Sequence, residues 1–164
     1  MITSSDISGV VGRQFAKVWT ALRALVEACP QEQWLAGPAA NLVPVRQAYH
    51  VAGGAEWCCE EDRFAVTNPF GLQLCVELFR EDLPATGWPD RAGMLKLIDD
   101  VERRIVSNIT GMNDAQWLAP ARSPMVFGNT PLEQFLYMLR HCQEHIGELK
   151  AEFRRRGLPV PDWA

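Results

Sequence analysis

Apolar residues recur every three to four positions along four stretches of the chain, and prolines or glycines punctuate the joints between them. That spacing is one turn of an α-helix, so each stretch is expected to fold as a helix with one apolar face. The first runs from about residue 8 to 29, with Val11, Phe15, Val18, Leu22, Leu25 and Cys29 on its stripe, and Pro30 ends it. The second runs from about 44 to 64 and opens on Pro44, a residue suited to a first helical turn because its missing N–H would be unpaired there anyway. It is apolar nearly all round until Glu60-Glu61-Asp62, which predicts a central position. The third runs from about 90 to 110 on Met94, Ile98, Val101, Ile105 and Ile109, with Asp90 as its N-cap. The fourth starts at Thr130-Pro131-Leu132-Glu133, a capping box with proline in first position, and is stopped by Gly157. Residues 67–89 are irregular, and 72–80 can form one extra short helix between the second and third. No segment has convincing strand alternation. Helices of this length span about 30 Å and pack naturally as an all-α four-helix bundle.

The length of 164 residues fits a single domain over 1–164 with one substantial core. Sixteen basic against 20 acidic residues give a net charge of −4, the opposite of a nucleic-acid-binding footprint. There is no basic-then-apolar leader at the N-terminus and no apolar run long enough to span a bilayer, so neither a membrane partner nor secretion is expected. Five cysteines, with no C-x-x-C pair, read as reduced thiols of a cytoplasmic protein.

The chemistry-bearing residues are the three histidines. His141 and His145 stand at i and i+4 on the last helix, about 40° apart around its axis, so they share a face beside the apolar stripe. Two imidazoles so spaced can converge on one metal ion, or they can simply be hydrogen-bonded interface residues. His50 lies on the most apolar helix, and Gly53-Gly54 follow one turn later. Each mid-helix glycine costs about 1 kcal/mol against alanine, so the pair has a reason: room beside His50, or close helix packing. Three neutral imidazoles around one divalent ion would leave coordination positions open, as catalytic rather than structural sites do. Imidazole suits Zn, Ni or Fe without choosing among them.

His50, the run His141-Cys142-Gln143-Glu144-His145-Ile146-Gly147-Glu148-Leu149 and the ending Phe153-Arg154-Arg155-Arg156-Gly157-Leu158-Pro159 resemble the DinB-like (DinB/YfiT-like) family of metal-dependent enzymes. The resemblance covers essentially the whole chain. It implies an up-down-down-up bundle with a three-histidine metal site, one ligand from the second helix and two from the last. It further implies a small-molecule substrate and, in some members, a low-molecular-weight thiol cofactor used by S-transferases and isomerases. Other members supply iron-binding histidines to sulfoxide synthases, and family members are often homodimers. Glu148 stands where the family usually has glutamine. It is a second acceptor behind the ligands, a carboxylate near the metal, or a plain solvated glutamate.

Further candidates lie on neighbouring turns. Tyr137 precedes His141 by one turn and could contact substrate, Arg46 precedes His50 by one turn and could receive an anionic group, and Trp57 follows His50 by a heptad and could wall the cavity; each is equally at home in a core or on a surface. Glu56 and Glu144 are candidate acid/base groups, and Cys142 reads as core filler. Trp34, Trp88, Trp117 and Trp163 fall at helix ends or loops, where they could cap the bundle, line a cleft or form a dimer face. The functional expectation is a metal-dependent enzyme that activates a thiol for S-transfer or a water for hydrolysis. The competing expectation is a non-catalytic, stress-associated bundle that acts by binding.

Overall fold

Three of the four long helices begin on a side-chain cap that the sequence carries. A computed structural model of the chain describes residues 6–59, 80–81, 87–122 and 128–162, with the backbone alone at 58 and 59. Helix α1 (Ile7–Ala28) is capped by Asp6, whose carboxylate accepts from the Gly9 N–H at 2.8 Å. Two short 3-10 turns, Gln31–Gln33 and Ala40–Leu42, lead to α2 (Pro44–Cys59). Helix α3 (Arg91–Gly111) is capped by Asp90, as its position predicts. Helix α5 (Pro131–Arg155) starts with the expected capping box: Thr130 Oγ1 accepts from Glu133 N at 3.2 Å, and Glu133 Oε2 accepts from Thr130 N at 3.0 Å. Backbone N–H groups of Asn129 and Thr130 hold the Glu133 carboxyl below its ordinary range. At the other end Gly157 takes φ +67°, the left-handed conformation that lets the Leu158 N–H return to the Phe153 carbonyl at 2.9 Å.

One element was not expected. A short helix, α4 (Asp114–Leu118), interrupts the stretch read as loop between α3 and α5. It has too few residues for periodicity to register, yet it carries its own capping box: Asn113 accepts from Gln116 N, and Gln116 accepts from Asn113 N. The extra helix expected at 72–80 and the end of the second helix, 60–64, fall outside the described residues, apart from Arg80.

The order of contacts sets the topology. Helices α1 and α2 each pack on both α3 and α5. Ser8, at the start of α1, meets Ile109 and Met112 at the end of α3, while Arg23, near the end of α1, reaches Asp99 at 2.7 Å and also Glu102. These two helices are therefore antiparallel. Tyr49 of α2 makes an edge contact with Trp88 just ahead of α3, and Glu56 pairs with Arg104 further along, so α2 and α3 are parallel. Gln47 meets Glu148 and His50 meets His141, so α2 and α5 are antiparallel. The result is up-down-down-up for the four long helices. Among the described residues no helix is long and apolar enough to cross a membrane.

The core runs down the axis through Phe15, Trp19, Leu22, Met94, Ile98, Ile105 and Phe153. Each such side chain contributes about 1.5–3 kcal/mol by leaving water. Tryptophans close the ends. Trp34 is buried and donates to the Pro89 carbonyl at 2.8 Å. Trp117 of α4 is buried against Phe135 and donates to Ser8 Oγ at 2.8 Å. Trp163 lies outside the described residues.

Ser8 thus serves three partners with one hydroxyl: it accepts from Trp117 and shares its single proton between the Ile109 and Met112 carbonyls, at 2.8 and 2.7 Å. Ser8→Ala leaves buried polar groups without that partner. Urea unfolding of this variant is expected to show a loss of about 1–3 kcal/mol, and an unchanged midpoint would contradict this account.

Candidate metal centre

The antiparallel register of α2 against α5 brings the three histidines together. His50 comes from the buried face of α2 and is 7% exposed; His141 and His145 come from one face of α5 and are half-buried. Their ligand atoms all lie within 4.8 Å of one another. His50 Nε2 is 3.0 Å from His141 Nε2, and His145 Nε2 is 3.2 Å from the same atom. Imidazole nitrogens sit about 2.0–2.1 Å from a zinc ion, which puts ligands of one ion about 2.8–3.4 Å apart across right-angled to tetrahedral geometry. The two separations fall in that window. Three nitrogens turned on one point need a proton or a cation between them, because facing lone pairs repel. The donor set therefore fits a divalent ion.

Electrostatics favour the neutral, ligating form at the middle residue. Burial, with a smaller contribution from the charge on His145, pushes His141 down to about 4. Its Nδ1 is buried and meets no hydrogen-bond partner among the described residues. The His145 ring is held differently. Its Nδ1 lies 2.8 Å from Glu148 Oε2, which also accepts from Gln47 Nε2 at 2.9 Å. Burial alone would raise the Glu148 carboxyl, but the hydrogen bonds from Gln47 and His145 outweigh it and hold the group below its ordinary value. Of the readings open for Glu148, its position is that of an acceptor behind a histidine.

The family model of the DinB superfamily matches residues 14–149, a span that includes all three histidines. The chain belongs to the DinB superfamily. Comparison with curated proteins returns no match. For this DinB-superfamily chain the helical architecture and the position of the histidine group agree with what the sequence motifs imply.

The remaining candidates separate by place. Tyr137 lies beside the histidines: its ring stacks on His141 with centroids 6.0 Å apart and planes 25° from parallel, and the Arg140 guanidinium lies over it at 5.9 Å from the ring centroid. A surface cleft of about 520 Å³, lined by Gly128, Asn129, Glu133, Leu136, Leu139, Tyr137 and Arg140, opens beside it. Arg46 is buried; its Nη1 donates to the Arg80 carbonyl at 2.7 Å and its guanidinium lies over Trp88, which ties α2 to the segments around it. Trp57 is partly buried against the core. Glu56 is fully buried and pairs with Arg104 of α3, while Glu144 is exposed. Gly54 turns toward His141: a methyl added there would meet His141 Cε1 at 3.6 Å, so the backbone of α2 approaches that ring without crowding it.

Gln47 was missed from the sequence. It stands three residues before His50, hence on a neighbouring position of the same helix face, and a buried amide in the most apolar helix is the signal that could have found it.

The described thiols are poor nucleophiles. Cys142 is fully buried among core residues, and burial pushes the Cys29 thiol up to about 11, so it stays protonated across the neutral range. Iodoacetamide at pH 8 is expected to leave Cys29 unmodified in the folded protein and to alkylate it in urea. Peptide mass mapping reads this site by site, and rapid modification of the folded chain would overturn the assignment.

Proposed function

We propose that this protein is a metal-dependent enzyme in which His50, His141 and His145 hold one divalent ion and a small-molecule substrate approaches past Tyr137. The observation that carries the reading is the convergence of three imidazoles whose ligand atoms lie within 4.8 Å of one another, with the His50 and His145 Nε2 atoms 3.0 and 3.2 Å from that of His141. Three neutral protein ligands are too few for a closed structural zinc site. A divalent ion bound there would lower the pKa of a small thiol or a water and so supply a nucleophile at neutral pH.

The chain's own residues do the rest. His141 enters uncharged because its burial disfavours the imidazolium. Tyr137 sits between the histidines and the cleft, where it would orient a substrate held against Asn129 and Arg140. Zn, Ni and Fe all suit the donor set. Thiol-dependent S-transfer is the leading reaction because the family resemblance includes thiol-using transferases; hydrolysis is the other reaction that the same site chemistry supports.

Metal analysis of the purified chain tests the site. Near-stoichiometric metal is expected in the wild type and its loss in His50→Ala and in His145→Ala. Failure to bind after incubation with Zn, Ni and Fe would sink the proposal.

The reaction is tested with a panel of low-molecular-weight thiols and a generic electrophile. Thiol conjugation above background, abolished by chelator and restored by the ion, supports S-transfer. A metal-loaded chain with no rate above background for any thiol refutes that route and directs the assay to ester and amide substrates.

A further inference from the structure

A hydrogen-bonded chain runs behind the metal centre from a 3-10 turn to a histidine. Gln47 is 1% exposed, and both of its amide protons are committed: Nε2 donates to the Asn41 carbonyl at 2.6 Å and to Glu148 Oε2 at 2.9 Å. Those two acceptors fix the orientation of the amide, since a flipped group would point its carbonyl at a carbonyl and a carboxylate. Glu148 Oε2 then accepts from one further donor, His145 Nδ1 at 2.8 Å. A carboxylate can only accept, so Nδ1 must carry the proton, and in the neutral imidazole Nε2 then carries the lone pair. Nε2 is the atom turned toward His141.

We infer that Gln47 and Glu148 are positioning residues that lock His145 in the Nδ1–H tautomer, with its Nε2 presented as a metal ligand. The inference rests on the three-histidine reading for its use, but the tautomer itself is a property of the metal-free chain. The relay crosses the two helices that supply the ligands. Gln47 precedes His50 by three residues on α2, and Glu148 follows His145 by three on α5, so one turn of each helix carries both a ligand and a member of the pair behind it. The bond from Gln47 to Asn41 anchors the relay to the turn Ala40–Leu42 that immediately precedes α2. Outer partners of this kind are typically worth about 10–100-fold in metal affinity.

Two readouts test it, on the full chain. The first is the ¹⁵N and ¹H side-chain NMR of His145 in metal-free protein, at a pH where the imidazole is neutral. The wild type is expected to show the Nδ1–H form. Gln47→Leu and Glu148→Ala are expected to move it toward the Nε2–H form that free histidine prefers, and Glu148→Gln, whose amide oxygen can still accept, to restore it. The second readout is zinc affinity by chelator competition. Glu148→Ala is expected to bind about 10–100-fold more weakly than wild type, with Glu148→Gln between them. Position 148 is half-exposed, so its variants keep the test available if Gln47→Leu does not fold.

An unchanged tautomer in Glu148→Ala overturns the inference. So does an unchanged zinc affinity in Glu148→Ala when the wild type binds zinc. A wild type that binds no metal instead refutes the three-histidine reading, and the NMR experiment still decides whether the relay sets the ring.

Discussion

The Nε2 atoms of His50 and His145 are held 3.0 and 3.2 Å from that of His141, where lone pairs would face one another unless a proton or a cation lies between them, and much of the architecture serves to keep them there. The constraint acts through the packing of α2 against α5. Because these helices run antiparallel, Gln47 meets Glu148, His50 meets His145 and His141, and Gly54 meets His141, and the site becomes a matter of register. A slip of one helical turn along either helix, about 5.4 Å, would separate every pair at once. The caps have a matching role. Thr130 with Glu133 at the start of α5 and Gly157 at its end fix where that helix begins and stops, and thereby where its two histidines fall.

Stability and chemistry are divided between helix pairs. Helices α1 and α3 are tied by Ser8, by the Arg23 contacts to Asp99 and Glu102, and by a dense aliphatic core. Trp117 and Trp34 seal the ends. The polar groups of the centre all come from α2 and α5. Glu56, the one acid of α2, is buried and paired with Arg104 on α3, so its charge is spent in structure and not at the centre. Arg46 is similar: it lies one turn from His50 but holds the Arg80 carbonyl and Trp88.

The parts legible in the sequence were those with a repeating physical signal. Apolar stripes of helical period located four helices, and Asp90 and Thr130-Pro131 located two starts almost to the residue. The i, i+4 spacing of His141 and His145 located their common face, since that follows from helix geometry alone. What periodicity could not reveal was short or cross-helical. Helix α4 has less than two turns, although its Asn113–Gln116 capping box was readable. Glu148 could be placed on the histidine face, yet its partner Gln47 lies on another helix, and one sequence without its fold does not bring positions 47 and 148 together. Arg46 and Tyr137 occupied equivalent positions by the same helical arithmetic, and only tertiary packing distinguishes an arginine bound to a carbonyl from a tyrosine against a ligand ring.

The separation of the histidines along the chain has a consequence during synthesis. His50 and His141 are 91 positions apart, and α5 is the last of the described helices to leave the ribosome. Until it emerges, the nascent polypeptide offers one imidazole on one helix, a weak and unselective ligand. The three-histidine group can form only after α5 has docked in its register, so any metal it takes would be acquired after folding. Competition among ions for these histidines would then be decided by the geometry of a finished group and not by whichever ion first meets the growing chain.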